Sequence, residues 1–183
     1  MTAPELTMAK AINQALDGAL AADPSVFLLG EDIADPGGGV FTVTKGLSTR
    51  YGTDRVRATP ISEEAILGVA IGAAVAGFRP VAEIMIMDFL GVCLDQLANH
   101  AAKLRYMSGG LTSVPLTVRC SAGGGLQMGA QHSEMLEAWL CHVPGLKVVV
   151  PSNPADAKGL LTTCIFDDDP CVFVEQTGAY FRK

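Results

Sequence analysis

Three stretches of the chain hold residue types that could do chemistry. The first is Thr59-Pro60-Ile61-Ser62-Glu63-Glu64-Ala65-Ile66, an acidic pair at the head of the most apolar run. Carboxylates complement the dipole at a helix N-terminus. The sharper alternative is that one carboxylate points inward as an acid, a base or a ligand group. Adjacent helical residues point about 100° apart, so only one of Glu63 and Glu64 can face a site. The second stretch is Ala130-Gln131-His132-Ser133, which follows a glycine-rich turn. A histidine beyond the carboxyl end of a strand lies where open α/β sheets take ligands; a hydrogen-bonded loop histidine is the plainer reading. The third is Cys164-Ile165-Phe166-Asp167-Asp168-Asp169-Pro170. Three aspartates after a helix oppose its dipole and call for water, a basic partner or a hard cation held by oxygen.

Familiar self-contained sites are missing. In Gly123-Gly124-Gly125-Leu126-Gln127-Met128-Gly129 the dinucleotide spacing G-x-G-x-x-G fails: from Gly123 the third glycine falls at Met128, and from Gly124 the second falls at Leu126. There is no phosphate-binding G-x-x-x-x-G-K-[ST] loop and no G-x-S-x-G nucleophile turn. His100, His132 and His142 are too dispersed for a metal motif.

The elements that must position these residues alternate regularly. A helix is predicted over 8–22, capped by Thr7 and carrying Ile12, Leu16 and Leu20 at helical spacing. A buried strand follows at 26–29, then a loop ending in Pro36-Gly37-Gly38-Gly39. A second helix, 62–77, is rich in small residues (Gly68, Ala70, Gly72, Ala73, Ala74, Ala76, Gly77). Each helical glycine costs up to about 1 kcal/mol relative to alanine. Their repetition implies close approach of another backbone, from this domain or from another chain. Strands are predicted at 80–85, 116–120, 146–150 and 171–175. Helices are predicted at 88–107, 134–141 and 155–166. Continuous Val/Ile/Leu strands between helices mark an α/β fold, a parallel sheet with helices on both faces.

Composition sets the class. The 183 residues correspond to one domain. Charged residues are 17% and hydrophobic residues 49%, which excludes disorder. Lys+Arg of 13 against Asp+Glu of 19 gives −6, with no basic block, so nothing suggests nucleic-acid binding. The longest apolar run, 65–78, is too short for a membrane span. A mean hydropathy of +0.34 points to a chain that either has little surface of its own or hides part of it against partners. The N-terminus lacks the basic and apolar regions of a signal peptide, and five cysteines without a C-x-x-C pair suit reduced thiols, so a cytoplasmic location is expected.

Six stretches in order resemble one family. They are Phe27-Leu28-Leu29-Gly30-Glu31-Asp32, Thr59-Pro60-Ile61-Ser62-Glu63, Gly77-Phe78-Arg79-Pro80-Val81-Ala82-Glu83, Ala101-Ala102-Lys103 with Tyr106-Met107-Ser108-Gly109-Gly110, Gln131-His132-Ser133, and Pro144-Gly145-Leu146-Lys147-Val148-Val149-Val150-Pro151. Together they resemble the pyrimidine-binding domain of the beta subunit of thiamine diphosphate-dependent 2-oxo acid dehydrogenases, a transketolase-like fold. The stretch Asp88-Phe89-Leu90-Gly91-Val92-Cys93-Leu94-Asp95-Gln96 looks most like the acetoin branch, with the pyruvate and branched-chain branches close.

The resemblance implies roles. Glu63 would hydrogen-bond the aminopyrimidine ring of thiamine diphosphate and activate it. Phe89 would pack on that ring, with Glu31 and Ile61 nearby. His132 would face substrate as a proton donor or acyl-acceptor guide. Leu116, Thr117, Cys164, Asp167 and Asp169 fall at a structural K+ site, the leucine and the cysteine through backbone carbonyls. The family's Gly-Asp-Gly motif for diphosphate and Mg2+ does not occur in this sequence. An alpha-type partner subunit carrying it is therefore expected, giving a hetero-oligomer. The family's second, C-terminal domain does not fall within 1–183: either these residues are an excised domain or the second half is a separate chain, and a lipoyl acyltransferase would accept the acyl group. Two alternatives are a split transketolase-like or carboligating enzyme without a lipoyl acceptor, and a non-catalytic scaffold half.

Overall fold

The computed structural model describes residues 6–125 and 127–182. Met1 to Glu5, Leu126 in the glycine-rich run, and Lys183 lie outside them. Six strands run β1 (Val26–Glu31), β2 (Val56–Thr59), β3 (Arg79–Ile86), β4 (Thr117–Ala122), β5 (Lys147–Val149) and β6 (Cys171–Gln176). All pair in parallel, in the order β2-β1-β3-β4-β6-β5. The parallel α/β class read from the sequence is the class observed.

Helices cover both faces. On one, α1 (Met8–Ala22) packs on α6 (Pro154–Ile165), and Ile12, Leu16, Leu20, Leu161 and Ile165 meet Leu28, Val81 and Phe173. On the other, α3 (Glu63–Val75) and the helical stretch after β3 bury Leu67, Ala70 and Leu97 against Ala82, Ile84, Val118 and Val174. Local chemistry sets the ends. Thr7 accepts the Lys10 N–H at 3.4 Å at the start of α1. Gly77, at φ +95°, closes α3: its N–H donates to Ala74 O and the Phe78 N–H to Ala73 O, each at 3.0 Å.

Three expectations need correction. Residues 88–107 are not one helix. They form a 3-10 turn (Met87–Gly91), a π-helical segment (Gln96–Ala101) and α4 (Ala102–Met107). Leu97 and Ala101, four residues apart, are both buried in the same cluster as α3. The helix expected over 134–141 is only α5 (Glu137–Cys141), because the preceding residues dock as loop. Strand β2 and the short α2 (Leu47–Tyr51) have no counterpart in the expected elements. As an edge strand, β2 leaves Arg57 and Ala58 exposed, so it lacks a continuous apolar run.

A buried charge ladder crosses the centre of the sheet. Arg119 on β4 donates to both Glu175 oxygens on β6 (2.6 and 2.8 Å) and to Glu83 on β3 (2.6 Å). The Tyr180 hydroxyl donates to Glu175 at 2.7 Å. Burial opposes the charge on Arg119, but Glu175 and Glu83 overcome it and hold the guanidinium protonated. Burial pushes the Glu83 carboxyl up even though Arg119 draws it down. Removing one partner from a buried ion pair costs about 3–5 kcal/mol, because the other charge stays buried. Arg119→Met should therefore destabilise the chain by about that amount in urea unfolding. A loss under about 1 kcal/mol would show that the ladder is not held as described.

Candidate active site

The connection from β1 to β2 runs to one side of β1, and β3 lies on its other side. This makes a topological switch point, and open α/β sheets bind ligands in the crevice outside the strand carboxyl ends there. Four of the residues singled out in the sequence reach that edge. Glu31 ends β1, Glu63 opens α3, Phe89 follows β3, and His132 lies in the loop after β4.

The backbone explains how Glu31 arrives. Gly30 pairs with Glu83 so closely that a Cβ would lie 2.8 Å from the Glu83 carbonyl oxygen, so only glycine fits. The following loop is tied down by Asp35, whose carboxylate accepts from the Gly46 and Thr49 N–H groups (2.7 and 2.8 Å) and from the Ser48 and Thr49 hydroxyls (2.8 and 2.7 Å). These donors hold its carboxyl far below the usual range.

Glu63 is buried and Glu64 exposed, as their angular separation requires. Glu64 accepts from Gln96 Nε2 at 3.1 Å. Glu31 is 5% exposed, and its Oε1 is buried without a hydrogen-bond partner. Burial first, then the charges of Glu63 and Asp32, push its carboxyl above the ordinary range, with the Ser62 N–H drawing it back in part. Burial and the Glu63 charge likewise push the Cys93 thiol up to about 12. Ile61 is 82% exposed on the turn leading into α3.

Phe89 and His132 touch. Their ring centroids are 5.2 Å apart at 87°, an edge-to-face pair. The loop doubles back so tightly that a Cβ on Gly123 would clash with the His132 carbonyl oxygen. The sequence reading weighed this glycine run only as a failed dinucleotide signature. It also passed over Asp88 and the Glu83–Arg119–Glu175 ladder.

The remaining candidates gather at the opposite, amino edge of the sheet. Leu116 and Thr117 lead into β4, and Cys164, Asp167 and Asp169 surround the turn into β6. The Cys171 N–H donates to Leu116 O at 2.9 Å and the Val114 N–H to Asp168 O at 3.2 Å, joining the two segments. The aspartates have basic partners. Lys147 reaches Asp167 (2.7 Å) and Asp169 (3.4 Å), Arg105 reaches Asp169 (2.6 Å) and Arg79 reaches Asp168 (2.7 Å). Burial opposes ionisation of Asp167, but Lys147 draws its carboxyl down. Thr117 Oγ1 is buried without a partner. Among the described residues, no three His, Cys, Asp or Glu side chains gather as a metal-binding group.

A buried acid pair, an aromatic and a histidine thus share the carboxyl edge of a parallel sheet, where α/β folds take small molecules. The chain belongs to the transketolase pyrimidine-binding domain family, which matches residues 4–182. It is 50% identical to the acetoin:2,6-dichlorophenolindophenol oxidoreductase beta subunit of Cupriavidus necator, over 97% of this chain and 55% of that one. It is 47% identical to the mitochondrial pyruvate dehydrogenase E1 component subunit beta-2 of Oryza sativa subsp. japonica, over 97% of this chain and 47% of that one. The fold superposes on transketolase from Leishmania mexicana with a TM-score of 0.74 at 18% identity, over 94% of this chain and 26% of that one. The chain spans about half the length of the curated relatives it matches.

Because the folded-state pKa of Glu31 lies above that of an unfolded glutamate, the folded chain binds the extra proton between those two values. Stability is therefore highest on the acid side and falls as pH rises through that window. Glu31→Gln should remove the fall and raise stability at pH 7 by about 1 kcal/mol, roughly 2–4 °C in Tm. A variant with an unchanged Tm and an unchanged pH profile would contradict the assigned burial.

Proposed function

We propose that this chain is the pyrimidine-binding part of the beta-type component of a thiamine diphosphate-dependent 2-oxo acid or acetoin dehydrogenase. The observation that carries the reading is the buried Glu63 beside Glu31, whose inward oxygen has no partner, at the β1/β3 crevice. Such a site suits a heteroaromatic ring bearing N–H donors. An aminopyrimidine meets it with an amino group for one acid and a ring nitrogen for the other. Phe89 offers an aromatic surface for the ring, and Ile61 an apolar side chain at the mouth. The residues present therefore fit the cofactor.

Thiamine diphosphate, when bound, supplies a thiazolium carbon nucleophile for attack on the substrate carbonyl. This chain's contribution is proton control. Glu63 shares a proton with a ring nitrogen of the pyrimidine, in a place where Glu31 makes a second nearby negative charge costly. Such a charge-assisted hydrogen bond is worth roughly 1.5–3 kcal/mol net. His132, held against Phe89, is placed to give or take a proton at the substrate or to orient the acyl acceptor, a lipoyl group.

An alpha-type subunit carrying the diphosphate and Mg2+ motif completes the site in a hetero-oligomer. The outer face of α3 supports this. Among the described residues, Gly68 and Gly72 have nothing within 4 Å of where a Cβ would be, so no described backbone exploits them. Beside them lies a cavity of about 490 Å3 lined by Phe27, Leu29, Val69, Ala73 and Phe78. The close-packed backbone that the small residues call for then belongs to another chain. At the amino edge, the orphaned Thr117 Oγ1 suits a K+ ligand beside the carbonyls of Leu116, Cys164, Asp167 and Asp169. The Asp167 and Asp169 carboxylates turn instead to Lys147. Free cysteines, four of them buried, support a reducing, cytoplasmic location.

The test is turnover of the assembled enzyme with thiamine diphosphate, Mg2+ and the alpha-type chain. Glu63→Gln should lower kcat by about 10²-fold or more while leaving Tm within a few degrees. Near-normal turnover would overturn the assignment. Acyl transfer to a lipoyl group should exceed transfer to an aldehyde; the reverse preference would favour a transketolase-like enzyme. Replacing K+ by tetramethylammonium should lower the Tm of the parent chain more than that of Thr117→Val, and equal shifts would remove the cation from the reading.

A further inference from the structure

His132 is carried on the long connection between β4 and α5, whose described residues form turns and bends but no helix or strand. Several contacts nevertheless fix it. The Glu134 N–H donates to Asp88 Oδ1 at 3.4 Å, and the Leu136 N–H donates to Met87 Sδ at 3.2 Å. Within the loop, the Ser133 hydroxyl accepts the Met128 N–H at 2.9 Å and Gly129 O accepts the His132 N–H at 3.3 Å. The acceptors Met87 and Asp88 open the 3-10 turn that also carries Phe89. A single turn therefore holds both the aromatic surface and the two anchor points for the histidine loop. Asp88 Oδ2 is buried and has no partner, so the carboxylate sits in a place where its desolvation is not fully offset. Glu134, whose N–H this carboxylate accepts, lies two residues along the chain from His132.

We infer that Asp88 is a positioning residue: its carboxylate, acting through the Glu134 N–H and together with Met87 Sδ, docks the loop so that the His132 imidazole stands edge-to-face with Phe89. The link to catalysis rests on the proposed dehydrogenase reading. The docking itself does not. An aspartate supplies what the loop needs because it is short enough to sit on the tight turn and still reach the backbone of a second segment. The close approach at Gly123 fixes the loop at its other end, where the chain leaves β4. The loop is thus held on both sides of His132, and loss of either hold frees the imidazole to leave the ring.

Amide hydrogen exchange and the ring-proton NMR shifts of His132, measured on the full chain, test this without cofactor or partner. Asp88→Ala should lower protection of the Glu134 amide by about tenfold, the loss of one hydrogen bond. It should also shift the His132 ring signals toward those of a free histidine, with strand amides of β1, β3 and β4 unchanged. Asp88→Asn keeps an acceptor at Oδ1 and should restore most of both signals. Met87→Leu, nearly isosteric, should expose the Leu136 amide and serves as a second probe if Asp88→Ala fails to fold. The inference is overturned if Asp88→Ala leaves the Glu134 amide and the His132 signals as they were, or if Asp88→Asn loses as much as alanine. In the assembled enzyme, Asp88→Ala should lower kcat by about tenfold or more and Asp88→Asn much less. Exchange and NMR changes without any kcat effect would leave the docking standing and reject the catalytic use of His132.

Discussion

Placing two carboxyl groups together out of water is unfavourable unless something arrives to share their charge. Glu31 and Glu63 are in that position, and burial with mutual repulsion already holds Glu31 partly toward its neutral form. Among the described residues, no donor reaches Glu31 Oε1. The fold around them is arranged to keep this state. Gly30 lets β1 lie against Glu83, Asp35 straps the loop that follows, and the N-terminal turn of α3 brings Glu63 inward while Glu64 stays in solvent. A site assembled from acceptors selects for a ligand that brings N–H groups and a protonatable nitrogen.

The sheet supplies the rigidity that this arrangement needs. The strand order reverses at β1, so the candidate site residues come from the carboxyl ends of β1 and β3 and from the segments leaving them and their neighbours. Beneath it, Arg119 ties β3, β4 and β6 by side-chain bonds as well as by the backbone ladder. The two ends of the strands divide the work. The carboxyl edge holds the acid pair, Phe89 and His132, while the amino edge joins the segment before β4 to the aspartate turn before β6. On the outer face of α3, apolar and small residues remain uncovered, which is where a site shared between chains would be closed.

Much of this was legible in the sequence, and the limits have physical causes. The first helix could be read to its ends, because Thr7 caps it and its apolar stripe is periodic. The parallel class followed from continuous apolar strands. Edge strand β2 was not legible, since half of its residues face solvent and it carries no such run. The break in 88–107 was hidden because a 3-10 turn and a π turn preserve an apolar periodicity close to that of a helix. Helical geometry required only that one of Glu63 and Glu64 turn inward; the choice of Glu63, and Glu31 as its neighbour, came from the family resemblance. The charge ladder could not be read, since its partners are 36 and 56 residues apart and meet only through sheet order. Gly123 and Asp88 were missed for the same reason: each matters through contact with a loop that sequence spacing does not place.

The most direct test of the central claim is a crystal structure of the chain assembled with its alpha-type partner and thiamine diphosphate. The account predicts a Glu63 carboxyl oxygen about 2.6–3.2 Å from a nitrogen of the aminopyrimidine ring, with that ring against Phe89 and Glu31 Oε1 no longer without a partner. A pyrimidine bound elsewhere, or a Glu63 side chain turned away from it toward solvent, would contradict it.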